Sequence, residues 1–232
     1  MTVLFRYSIN IILMNASDLI TQKIPYLKTS LTGAEALVLM NDARVRHLPI
    51  VNSRQLLGIM SEEDILAQDV NEPVGSYNLS LNRSYVKAKD HIFEVLQIMS
   101  NFKLSSIPVV DDKQEYLGSI VLEDLLHVFA GSFSFTEPGS ILVLEIPARD
   151  YSLADIARII EQDNAKILSA FITRDLAKDQ YSITLKISAQ DNKRILASLE
   201  RYDYNILASY TEEDFADTLK ERYDSLIAYL NV

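Results

Sequence analysis

The sequence predicts an α+β protein: a tandem pair of βαββα repeats, then a ferredoxin-like βαββαβ layer, then a C-terminal helix. Three observations predict it. One strand, turn, strand and helix pattern occurs twice at a fixed spacing. A Pro-Gly turn at 138–139 ends the repetition. Beyond that turn the strand and helix patterns follow the order βαββαβ.

The repeat is read directly from the residues. Positions 46–51 are Arg-His-Leu-Pro-Ile-Val and positions 105–110 are Ser-Ser-Ile-Pro-Val-Val. Pro49 and Pro108 are 59 residues apart, whereas Gly58 and Gly118, like Asp64 and Asp124, are 60 apart. The single inserted residue falls in the polar loop. Such a repeat is one supersecondary unit duplicated and packed against its copy, which makes the cleft between copies the working site.

Each element has a local reason. Residues 1–13 read as an extension, with two apolar stretches around Arg6. They are shorter than the roughly 20 apolar residues a membrane helix needs, and no small-x-small cleavage pattern follows. Met14, followed by Asn15-Ala16-Ser17-Asp18, reads as a domain start, so the first repeat is assigned to 14–70 and the second to 71–131. Ala36, Leu37 and Met40 give residues 33–42 helical periodicity. Leu48 to Val51 is a short buried strand, with Pro49 tolerated near its start. Residues 52–55 turn the chain into a strand over 56–60. Ser61 caps the next helix, and Glu62, Glu63 and Asp64 fill its first turn. The second repeat gives a helix over 90–101 capped by Asp90, strands over 107–110 and 116–120, and a helix over 122–130. Residues 69–79, with Pro73 and Gly75, read as the linker.

The third domain spans 140–210. A strand over 141–146 precedes a helix opened by Ser152, with Leu153, Ile156, Ile159 and Ile160 on one face. Strands over 165–173 and 181–187, a helix opened by Asp191 and a strand over 204–210 complete it. Thr211 and Asp214 open a final helix over 211–232. Its apolar stripe, from Phe215 to Leu230, suits its own domain or a partner subunit.

Composition narrows the function. Hydrophobic residues make up 48% and charged residues 23%, enough for a globular core. A formal charge of −10 repels phosphate backbones, so no nucleic acid partner is expected. The absence of cysteine suits a reducing compartment or indifference to redox, and a cytoplasmic setting is expected. His47, His91 and His127 lie in separate elements, so no metal is expected. No Gly-rich phosphate loop, nucleophile elbow or cysteine nucleophile is present, which argues against an enzyme.

Residues 14–131 resemble a pair of CBS domains, through the Leu-Pro-Ile-Val and Ile-Pro-Val-Val strands, the Leu-Gly strands and the Asp three residues after each helix start. Residues 140–210 resemble an ACT domain, through Glu145-Ile-Pro-Ala-Arg-Asp-Tyr-Ser-Leu-Ala-Asp-Ile-Ala157 and Asn164-Ala-Lys-Ile-Leu-Ser169. The combination is similar to bacterial proteins of the acetoin utilisation protein B type. The resemblance implies an adenine nucleotide (AMP, ADP, ATP or a related adenosyl ligand) between the repeats. It implies ribose acceptors at Asp64 and Asp124, a phosphate contact at Ser61, and a base slot walled by Pro49 and Pro108. Val121 stands where the second repeat needs a hydroxyl, so the clefts are expected to differ, with Ser61 and Asp64 in the stronger one. A plainer reading stands beside this one. Ser61 and Asp64 are spaced as a helix capping pair, and Asp124 suits the same role in its own helix. The acidic run 61–64 also opposes a polyphosphate, unless Arg46, Arg83, Lys87 or Lys89 offsets it. His47 is expected to be packed or at the surface. The loop Arg149 to Ser152 lacks the glycine an ACT ligand loop usually carries, so a dimerisation sheet competes with amino-acid binding there. Two functions follow: a non-enzymatic homodimeric sensor that relays adenosyl-ligand state to a protein partner, or a ligand-free homodimeric scaffold.

Overall fold

The computed structural model describes residues 14–77, 84–135, 137–211, 227 and 229. The extension at 1–13 and, apart from the helical residues Ile227 and Tyr229, the tail beyond Thr211 lie outside the described residues. The chain divides into two compact units between Ser132 and Phe133.

The first unit holds the repeats. The first comprises α1 (Gly33–Asp42), β1 (His47–Asn52), β2 (Gln55–Ser61) and α2 (Glu62–Leu66). The second comprises β3 (Val86–Lys87), α3 (Ile92–Asn101), β4 (Ser106–Val110), β5 (Tyr116–Val121) and α4 (Leu122–Ser132). The antiparallel hairpins match in detail: Pro49 faces Ile59 and Pro108 faces Ser119, with a bulge beginning at the residue after each proline, at Ile50/Val51 and Val109/Val110. β3 runs parallel to β4, and Leu27 makes the same parallel bridge to Ile50. Each repeat therefore opens with an extended contact ahead of its first helix.

α1 and α3 end in the same cap. Arg44 and Lys103 turn left-handed, at φ 54° and 52°. The following amides close six-residue turns, Val45 N–H to Met40 O at 3.0 Å and Leu104 N–H to Met99 O at 2.9 Å. These are Schellman caps, with a long cation where glycine is usual. They aim the chain into β1 and β4.

The repeats interlace across the division expected at residues 70 and 71. Met14, Ala16 and Leu19 are buried in the core of the second repeat, with Val86, Ile92, Met99 and Ile107. Val74 is buried in the core of the first, with Leu27, Leu48 and Ile65. The hydrogen bonds correspond one for one. Ala16 N–H reaches Asp90 O and Ser17 N–H reaches Ala88 O, as Val74 N–H reaches Leu31 O and Gly75 N–H reaches Thr29 O. The expected linker thus completes the first repeat, and the segment from Met14 completes the second.

The second unit comprises β6 (Ser140–Pro147), α5 (Leu153–Gln162), β7 (Ile167–Asp175), β8 (Gln180–Ile187), α6 (Lys193–Arg201) and β9 (Asn205–Tyr210). The sheet order β7-β8-β6-β9, antiparallel throughout, is ferredoxin-like. Leu142, Leu144, Ile183 and Leu185 pack on Ile156, Ile159, Ile195 and Leu199 of the helices.

The cap of α3 differs from the sequence expectation, and that of α6 falls at Asn192, one residue after Asp191. His91, not Asp90, caps α3, its Nδ1 accepting from Phe93 N–H at 3.2 Å. Asp90 is drawn one turn earlier, accepting from Lys87 N–H at 2.7 Å.

Candidate ligand-binding cleft

The repeats meet where β1 and β4 begin. Arg46 N–H donates to Ser105 Oγ at 2.8 Å, and Ser106 Oγ donates to the His47 carbonyl at 2.6 Å. Ser105 N–H donates to His47 Nδ1 at 3.2 Å, with Ser105 Oγ 3.1 Å from the same nitrogen. A ring nitrogen that accepts a backbone N–H bears no proton, so His47 is neutral here with its proton on Nε2.

Beside this seam opens a cleft of about 660 Å³, in the size range of small-molecule sites. The first repeat lines it with Arg46, His47, Ser61, Glu62 and Glu63. The second contributes Leu96, Met99 and Ser100 of α3, Phe102 to Ser105 after it, and Leu122 of α4. One wall is therefore apolar. The polar side carries two cations, Arg46 and Lys103, against two carboxylates, Glu62 and Glu63. Burial holds the His47 imidazole below its ordinary range, and the neighbouring Arg46 adds to the effect, while Asp64 and Glu63 oppose it.

Ser61 lines the cleft, but its hydrogen bonds are committed. Its hydroxyl donates to Asp64 Oδ2 at 2.7 Å and accepts from Asp64 N–H at 3.0 Å. Ser61 N–H also donates to Asp64 Oδ2, at 3.0 Å. This is a capping box, and Asp64 itself, bonded to Ser61, is outside the cleft lining. Glu62 N–H is taken by Arg46 O at 2.9 Å. The phosphate cradle expected around Ser61 is thus largely spoken for, leaving Arg46 and Lys103 as the cations beside the opening. Pro49 and Pro108 are buried within their strands, outside the cleft lining. The flat apolar wall comes from Leu96, Met99 and Phe102 instead. Asp124 is exposed at the start of α4, also outside the lining. Val121 packs against the core of the first repeat, where Ser61 in its own repeat faces the opening.

Of the compensating cations, only Arg46 reaches the cleft. Lys89 pairs with Asp112 at 2.8 Å, Lys87 lies on β3 outside the lining, and Arg83 falls outside the described residues. Sequence reasoning missed Lys103 and Ser105, and it placed His47 among packed or surface residues. The signal was present in the spacing: Lys103 and Ser105 stand 59 residues after Arg44 and Arg46. Among the described residues no cluster of three His, Cys, Asp or Glu side chains suits a metal ion, and no helix is long and apolar enough to cross a membrane.

The family model for the CBS domain matches residues 16–71 and again residues 80–131. The first unit is a tandem CBS domain pair. An uncharacterised protein of Methanocaldococcus jannaschii is 27% identical over 115 residues, covering 49% of this chain and 43% of that protein. The chain spans less than half the length of the curated relatives it matches, which include homoserine O-acetyltransferases of two methanogens. A CBS domain pair/ACT domain protein of Thermotoga maritima is 24% identical, with a TM-score of 0.46, over 51% of this chain and 98% of that one. A CBS domain pair solved with 5′-methylthioadenosine and S-adenosylmethionine is 26% identical, with a TM-score of 0.43, over 51% and 98%.

Proposed function

We propose that the CBS pair binds one adenosine-containing ligand in the cleft beside Ser61, and that the protein is a regulatory sensor without an activity of its own. The observation that carries this is the cleft itself: an apolar wall for a base, with Arg46 and Lys103 at the polar side for a 5′ substituent. Asp64 is outside the lining but adjoins it through Ser61, and because its bonds to Ser61 fall on Oδ2 its Oδ1 is the ribose acceptor of this reading. Two cations against two carboxylates suit a ligand of low charge, AMP or a nucleoside, better than ATP. The second cleft is the weaker, because Val121 supplies no hydroxyl and is packed.

The second unit is proposed to be an ACT-like module that passes ligand state to a protein partner, with the chain acting as a homodimer. In its loop at 148–151 the Tyr151 ring packs on Tyr181 of β8, with centroids 4.7 Å apart, which favours assembly over amino-acid capture. The same capping box that leaves Ser61 satisfied favours the second reading, a scaffold with empty clefts.

Thermal melts against AMP, ADP, ATP, NAD, S-adenosylmethionine, adenosine and amino acids separate the two. A ligand at 100 times its dissociation constant stabilises by about 2.7 kcal/mol. Ser100 is an exposed helix residue at the cleft, so Ser100→Trp fills the opening without disturbing the core. The sensor reading expects AMP to raise the melting temperature of the wild type and not of Ser100→Trp. A panel with no response leaves the scaffold.

A further inference from the structure

We propose that His47 sets the charge of ligand the cleft accepts: neutral and held by Ser105 it admits an uncharged 5′ end, and protonated it receives an anionic one. This rests on the cleft being an adenosyl site. The geometry that carries it is the cross-repeat bonding at Nδ1. Ser105 N–H already donates there at 3.2 Å, and Ser105 Oγ, 3.1 Å away, is itself held by Arg46 N–H at 2.8 Å. A proton on Nδ1 would face that backbone N–H donor to donor and strip it of its acceptor. The imidazole thus exchanges a bond between the repeats for a positive charge in the cleft wall.

The surroundings set the direction. Arg46 disfavours the imidazolium, Glu63 and Asp64 favour it, and Glu62 and Lys103 line the same cleft. Without an anion beside Arg46, burial and that cation prevail, so the neutral form of His47 is favoured at pH 7. An anion lodged beside Arg46 offsets that cation and favours the proton. Binding of an anionic nucleoside therefore takes up a proton, whereas binding of a neutral one does not. The same proton loosens the seam. The unfolded imidazole titrates near 6.5 and the folded one lower, so as pH falls through that window the unfolded chain binds more proton and stability is lost.

Two measurements on the full chain test this. In the ligand-free protein, NMR from about pH 5 to 8, spanning the imidazole range, is expected to show the Ser105 amide titrating with the His47 ring. That response is expected to vanish in His47→Asn, whose side chain keeps an acceptor but does not titrate. A Ser105 amide that ignores His47 overturns the inference, whatever binds. Calorimetry then uses adenosine 5′-sulfate, whose charge is fixed, beside adenosine. Wild-type affinity for the sulfate is expected to rise roughly three- to tenfold from about pH 7.5 to 5.5, at most one proton's worth. Adenosine affinity, and both affinities in His47→Asn, are expected to stay flat. Binding with equal pH profiles in wild type and His47→Asn overturns the inference and spares the cleft. Failure of both probes to bind overturns the cleft reading and, with it, the ligand-charge role of His47.

Discussion

At Lys103 the backbone and the proposed ligand make opposite demands. The residue closes the α3 cap with φ 52°, a conformation that costs a side chain about 1 kcal/mol and costs glycine little. Its cation also lines the cleft. Lys103→Gly is therefore expected to raise the unfolding free energy by up to about 1 kcal/mol while weakening AMP and leaving adenosine nearly unchanged. Urea unfolding and AMP titration of the same variant check both signs. Ser61 makes the reverse case. Ser61→Ala removes the capping hydroxyl and is expected to cost about 1 kcal/mol in urea unfolding. Because that hydroxyl is already spent on Asp64, the change is expected to alter AMP affinity less than Arg46→Ala does. The capping pair Ser61 and Asp64 was legible in the sequence because its spacing is local. Lys103 and Ser105 were not, because their place depends on a seam between segments far apart in the chain.

The interlacing of the repeats is a property of whole elements. Repetition in the sequence announced two βαββα units and two equivalent hairpins, and the hairpins pair in matching register. It did not announce which repeat each linking segment completes, since Met14 to Leu19 and Val74 sit beside one repeat in sequence and serve a core by contact. Met14 is 1% exposed in the second repeat's core. Met14→Ala is expected to cost about 2–4 kcal/mol and to speed hydrogen exchange in β4 and β5 more than in β1 and β2. Equal acceleration in all four strands contradicts the interlaced assignment. Gly118 tests the same packing from the other side. It holds φ 153° on β5, and an added Cβ would meet Ile20 of that segment. Gly118→Ala is expected to cost about 1–3 kcal/mol by overpacking, again read in urea. The βαββαβ order of the second unit was fully legible, because its apolar alternation and helix faces are local patterns. The cap of α3 was not, since Asp90 and His91 both suit the position and only β3 decides where Asp90 turns.

For the molecule as a whole, assembly and ligand state are the linked questions. Phe93 and Leu126, on α3 and α4 of the CBS pair, are 55% and 57% exposed, and Leu207 and Tyr210 on the edge strand β9 are 53% and 56% exposed. Open apolar faces and sheet edges invite a second subunit. Light scattering is expected to give about twice the 26.3 kDa chain mass, with or without AMP; a monodisperse monomer contradicts the homodimer. The central claim is narrower, that one adenosine ligand per chain sits beside Asp64. Calorimetric titration of AMP into wild type and Asp64→Ala, with folding of the variant checked by its melt, tests it most directly. The account predicts one tight site per chain in the wild type, weakened in Asp64→Ala by about 1.5–3 kcal/mol, roughly 10- to 150-fold. Equal binding by the two proteins, or no binding by either, would contradict it.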